Sequence, residues 1–169
     1  IALSETAGAI SSITITAINS AFSSAGFAAY SGGTSNIAFY STSCTSCRVY
    51  LQGCTFSQTN LNRFSVFDLF YLSTLNAFQF TMTGGTVSLT SSLWGAVFNS
   101  SGTIVGASTV SISGLGTVTL TGIRAHLITI DQRSSINGLS LSVSSLTVST
   151  SGYGLASSPA VNSVLVAPV

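Results

Sequence analysis

Three cysteines fall within eleven residues, in the stretch "CTSCRVYLQGC" that runs from Cys44 through Cys47 to Cys54. Thiols at this spacing offer three chemistries: a zinc knuckle, a redox pair or a plain disulfide. Zinc requires four ligands, and the only histidine, His126, is distant in sequence. Thioredoxin-type exchange belongs in a βαβ setting, and helix signals here are thin. The reading that remains is one structural disulfide, with the third thiol buried or paired between subunits. Spacing alone leaves open which two cysteines close. No metal and no other cofactor is expected.

Acid–base chemistry finds little to work with. His126 could be drawn into a triad with Asp68 or Asp131 and a serine, but no GxSxG elbow supports it. With 33 serines in the chain, such combinations arise by chance. Glu5, Asp68 and Asp131 are the only acids and are far apart for a glycosidase pair. Neither a phosphate-binding loop nor a dinucleotide fingerprint is present. The chain is therefore expected not to be an enzyme. Asn99-Ser100-Ser101 forms an N-glycosylation sequon in "NSSG", which reads as a turn. Tyr30, Tyr40, Tyr50, Tyr71, Tyr153 and Trp94 could line a sugar site, although aromatics on strands more often serve a core.

The elements that would hold these residues are written in the composition. Of 169 residues only 4% are charged, none of them lysine, while 33 Ser and 21 Thr supply hydroxyls in their place. The four arginines, Arg48, Arg63, Arg124 and Arg133, are scattered, which argues against a nucleic-acid partner. A net charge of +1 favours association. Mean hydropathy is high at +0.61, yet the apolar residues are interleaved with Ser and Thr. No stretch supplies the roughly 18 uninterrupted apolar residues of a spanning helix. With three carboxylates to protonate, the fold should also tolerate acid.

Alternation with a period of two dominates the chain. Strand-like runs are "SITITAI" (12–18), "NIAFYS" (36–41), "RVYLQG" (48–53), "TVSLTSSLWGAVF" (86–98), "STVSISG" (108–114) and "TVTLTGI" (117–123). "AHLITID" (125–131), "LSLSVSSLTVS" (139–149) and "VNSVLVAPV" (161–169) follow. Gly, Asn and Ser pairs punctuate them as turns. "NLNRFSVFDLFYLSTL" reads equally as strand or short helix, and no internal repeat is evident. Short strands at regular spacing predict an all-β, Greek-key or immunoglobulin-like β-sandwich.

The N-terminal segment reads as a separate functional unit. Its odd positions, Ile1, Leu3, Glu5, Ala7, Ala9, Ser11, Ile13, Ile15 and Ala17, form one face of an extended strand, whose apolar members Ile1, Leu3, Ala7, Ala9, Ile13, Ile15 and Ala17 are the expected interface. Such a strand can complete the sheet of a neighbouring copy. This divides the chain into a donor segment, 1–24, and a sandwich body, 25–169. Repeated head to tail, the contact gives an open filament.

The scarcity of charge, the Ser/Thr-rich alternating strands and "VFNSSGTIVGASTVSISGLGTVTLTGI" (97–123) resemble extracellular filament subunits of thermophilic archaea. The group resembled is the β-sandwich pilins whose N-terminal strand is donated to the next subunit. The resemblance covers composition and pattern over most of the chain and includes no diagnostic motif. It implies a secreted, homopolymeric cell-surface filament that serves adhesion or biofilm formation and can carry glycans. Two alternatives stand beside it. One is an archaeal type IV pilin, suggested by Glu5 and a helical stripe through Leu3, Ala7, Ile10, Ala17 and Ala21, but opposed by the Ser and Thr of residues 11–24. The other is a monomeric surface- or carbohydrate-binding β-sandwich.

Overall fold

In a computed structural model, the described residues form 20 strands that wind into five successive coils of four. The described residues are 1–4, 9–26, 34–40, 42–60, 63–69, 73–91, 94–122, 124–130 and 135–151. The first coil holds β1 (Ala2–Ser4), β2 (Ala9–Ser11), β3 (Thr14–Ile18) and β4 (Ala21–Gly26). The second holds β5 (Thr34–Tyr40), β6 (Ser43–Thr45), β7 (Arg48–Gln52) and β8 (Thr55–Asn60). The third holds β9 (Arg63–Leu69), β10 (Thr74–Asn76), β11 (Gln79–Thr83) and β12 (Thr86–Ser91). The fourth holds β13 (Trp94–Ser100), β14 (Thr103–Val105), β15 (Ser108–Ser113) and β16 (Thr117–Thr121). The fifth holds β17 (Arg124–Ile130), β18 (Ser135–Ile136), β19 (Leu139–Ser144) and β20 (Thr147–Ser151).

Every strand pairs in parallel with its counterpart one coil away, giving four five-stranded sheets. In chain order these are the first (β1, β5, β9, β13, β17), second (β2, β6, β10, β14, β18), third (β3, β7, β11, β15, β19) and fourth (β4, β8, β12, β16, β20). The fold is thus a parallel β-solenoid. This corrects the expectation of a Greek-key or immunoglobulin-like sandwich with a donated strand, because no pair in any sheet is antiparallel among the described residues.

The reason lies in the corners. A hairpin reverses the chain with two turn residues. Here left-handed residues at the corners between the second and third and between the third and fourth sheets bend the chain without reversing it. Between the third and fourth sheets these are Asn19, Gly53, Gly84, Gly114 and Ser145, with φ of 48°, 62°, 63°, 62° and 53°. Gly53 N–H donates to the Thr83 carbonyl and Gly84 N–H to the Ser113 carbonyl, so the hydrogen-bond ladder continues through the bend. Gly85 must be glycine, since φ is 85° and a Cβ would collide with the Cys54 carbonyl oxygen.

The corner spacing produces a repeat that the sequence reading misses. Phe22, Phe56, Val87, Val118 and Val148 follow one another in register, at separations of 34, 31, 31 and 30 residues. Inward positions accordingly stack like with like. Ile37, Phe67, Phe98 and Ile128 form one core column, in which the Phe67 and Phe98 rings lie 4.9 Å apart and nearly parallel. Ile15, Val49, Phe80, Val110 and Leu141 form another.

"NLNRFSVFDLFYLSTL" resolves into strand over 63–69, with residues 61–62 and 70–72 outside the described part. "VNSVLVAPV" (161–169) also lies outside it. "TVSLTSSLWGAVF" and "LSLSVSSLTVS" each prove to be two strands rather than one. No helix among the described residues is long and apolar enough to cross a membrane.

Candidate functional site

The N-terminal strands lie on the chain's own solenoid. Residues 14–18 pair with 48–52, and Leu3 pairs with Phe39. The period of two read across residues 1–17 breaks at Ser12, whose φ of 58° turns a corner. Ile10 therefore packs toward the core in place of Ala9, which is exposed, and Ile13, Ile15 and Ala17 resume the inward face. Ile1 is 63% exposed. Ala7 and Glu5 lie outside the described residues, and the expected boundary at residue 24 falls inside β4. Strands at 9–11, 14–18 and 21–26 also leave no helical stripe through Ile10, Ala17 and Ala21.

Of the cysteines, Cys44 and Cys47 form the disulfide. Cys44 sits in register with Ile10, Leu75 and Ile104, in a core column that ends at the exposed Ile136. Cys54 is a buried free thiol whose S–H reaches the Ala17 and Gln52 carbonyls at 3.3 and 3.5 Å. With two of the three thiols bonded to each other, no thiolate cluster is available to a metal.

The first sheet is buried through its thickness: residues 64–69 and 95–100 have no exposed position. Val66 and Phe67, adjacent in sequence, both join the core, as do Val97 and Phe98 and Leu127 and Ile128. A regular strand would send neighbours to opposite faces, so these strands bend. The bend brings Ser65 and Asp68, three residues apart, into contact at 3.3 Å. Ser35 Oγ donates to Asp68 at 3.2 Å and lies 2.9 Å from Ser65 Oγ, while Asn99 Nδ2 donates to the other carboxylate oxygen at 2.7 Å. Asp68, 6% exposed, is the hub of a buried polar network spanning three coils.

This network changes the reading of two sequence motifs. Asn99 is 3% exposed and belongs to β13, not to a turn. Attaching a glycan to its amide nitrogen would require pulling it off Asp68 and out of the interior. The triad does not assemble around Ser65 either. Ala96 stands between Ser65 and His126 in register, placing them two strands apart, roughly 10 Å. Asp131 lies outside the described residues. Among the candidate sugar-binding aromatics, Tyr30, Tyr71 and Tyr153 also lie outside, and Tyr50 is exposed alone on the third sheet, where its hydroxyl donates to Gln52 at 3.0 Å.

The outward faces carry the feature that sequence reasoning did not find. On the fourth sheet the register stacks Thr55, Thr86, Thr117 and Thr147 in one column. Ser57, Ser88, Thr119 and Ser149 form the next, and Thr59, Thr90, Thr121 and Ser151 the third. The signal was present as "TVSLT" (86–90) and "TVTLT" (117–121), 31 residues apart. The third sheet is less uniform: Arg48, Gln79, Thr109 and Ser140 share a column, and Tyr50, Thr81, Ser111 and Ser142 another.

The two ends of the described solenoid differ from its middle. On the middle coils, Val49, Leu51, Phe80, Met82, Val110 and Ile112 are at most 1% exposed. Their counterparts Ile15 and Ala17 on the first coil, and Leu141 and Val143 on the last, are only partly buried. Comparison with known protein families, characterised proteins and solved structures finds no match to this chain.

Proposed function

We propose that the chain is a structural subunit of an extracellular homopolymeric filament, serving adhesion or biofilm formation, in which coils stack end to end. The observation that supports this reading is the partly covered core on the first and last described coils. Stacked-repeat folds need polar caps to stay apart from one another, and edge strands present unpaired N–H and C=O groups. The last coil of one copy and the first coil of the next are the two halves of such a junction. Joining them continues four parallel sheets and covers Ile15, Ala17, Leu141 and Val143. The contact is heterologous and does not close, so it propagates. The Cys44–Cys47 disulfide supports an oxidising compartment. The scarcity of charge supports association.

Sedimentation and electron microscopy of the purified chain test the reading. The expected result is rods growing with concentration, each copy adding roughly 24 Å for five coils at about 4.8 Å. Ile15→Asp blocks one end and Leu141→Asp the other, so each variant alone should be monomeric. Mixed in equal amounts they should give dimers, because each retains the end that the other has lost. A wild-type chain that stays monomeric at every concentration, or filaments from either variant alone, would sink the proposal.

A further inference from the structure

We infer that the outer face of the fourth sheet binds a crystalline hydrogen-bonding surface, and that the surface is ice. Three observations lead there, independently of the filament reading.

The face is a two-dimensional array. Its rows repeat at about 4.8 Å between strands, and its columns at about 6.6 Å between residues i and i+2 of a strand. Composition does not explain the array. Thr is 21 of 169 residues, yet it holds seven of the eight positions in the two outer columns over coils two to five. Nor does the fold require it. The third sheet has the same parallel strand geometry, and its columns mix Arg48 with Gln79 and Tyr50 with Thr81. What sets the fourth sheet apart is therefore the partner.

The chemistry narrows that partner. No residue of the array is charged, which removes phosphates, nucleic acids and acidic peptides. It has no aromatic platform on which a pyranose ring could stack. Each threonine carries a hydroxyl and a methyl on a β-branched side chain that has little rotamer freedom to lose, and along one column Thr86 Oγ1 donates to Thr55 Oγ1 at 3.5 Å. Such a surface gives a soluble molecule few contacts. It discriminates well in favour of a lattice that repeats on the same scale and accepts hydrogen bonds without charge. The oxygen rows of ice form such a lattice, and clathrate-like water over the methyl groups can merge with it.

The test is partition of the purified full-length chain into a slowly growing ice hemisphere, read beside thermal hysteresis. Wild type is expected to enrich in the ice at least tenfold over a protein that does not bind it. Thr86→Tyr with Thr117→Tyr breaks the flatness of the array and should abolish the enrichment. Gln79→Tyr with Thr109→Tyr, the same change on the third sheet, should leave it intact. Thr86→Lys with Thr117→Lys, whose side chains extend into water, supplies a second fourth-sheet variant should the tyrosines disturb folding, and should lose enrichment equally. Exclusion of wild type from the ice overturns the inference, as does equal loss in the third-sheet variant. Retention on microcrystalline cellulose without any effect on ice would overturn it in favour of a crystalline polysaccharide.

Discussion

The first and fourth sheets of this solenoid are both rich in hydroxyls and use them in opposite ways. Ser65, buried, and Ser35, half-buried, on the first sheet are bonded to each other and to a buried carboxylate. Ser57 and Ser88 on the fourth are exposed to water in a regular column. The strands of the first sheet bend at Val66–Phe67 and its equivalents and show no exposed position among the residues whose burial is described, whereas β8 and β12 of the fourth alternate exposed and buried residues. The same composition thus builds an internal polar clamp in one place and an open lattice in another. What a serine does here depends on its register position, not on its identity.

Truncation should separate the two sheets most clearly where the core is deepest. Phe67 packs against Phe39, Phe78, Phe80 and Phe98 and is fully buried. Phe67→Ala should cost about 3–5 kcal/mol in chemical denaturation, whereas Thr86→Ala on the fourth sheet should stay within about 0.5 kcal/mol. A similar loss at both would mean the fourth sheet's outer face is covered. A finer contrast uses one substitution twice. Ser65→Ala removes a buried hydroxyl from the Asp68 network and should cost about 1–3 kcal/mol, while Ser57→Ala should be close to neutral. Equal effects would erase the distinction between clamp and lattice.

These sheets also show how far sequence could be read. Period-two alternation located many of the longer strands, because side-chain direction along a strand is a local property: "RVYLQ" and "STVSIS" are β7 and β15. Pairing is not local. Whether Gly53 or Ser46 reverses the chain or only bends it depends on one dihedral, and the residue types are the same in either case. Taken as hairpin turns, they generate a sandwich; as single left-handed corners, they generate a solenoid. The decisive signal was the 31-residue offset between "TVSLT" and "TVTLT", which is weak because first-sheet segments such as "FSVFDL" and "GAVFNS" share little identity. The bend in those strands also hid the Asp68 network, since alternation predicts that Ser65 and Asp68 lie on opposite faces. Asn99 was misplaced for the same reason: "NSSG" looks like a turn until its strand is known to continue through Ser100.

The smallest effect expected is electrostatic and belongs to the first sheet alone. Tyr40, at the end of β5, is partly buried, and its pKa is raised above 10.0, first by burial and second by the negative charge of Asp68. A raised folded-state pKa means the folded chain holds the phenolic proton more tightly than the unfolded chain does. The resulting stabilisation is fully present below the unfolded value near pH 10 and is lost as pH rises through the folded value. The fourth sheet's Thr and Ser hydroxyls have no comparable titration in that range. Stability should therefore fall above about pH 10, and Tyr40→Phe should flatten that part of the profile while leaving neutral pH little changed. Asp68→Asn should leave a smaller alkaline decline than wild type, because the charge contributes only the second of the two causes. A Tyr40→Phe profile that still falls as steeply would assign the alkaline loss to a group other than Tyr40.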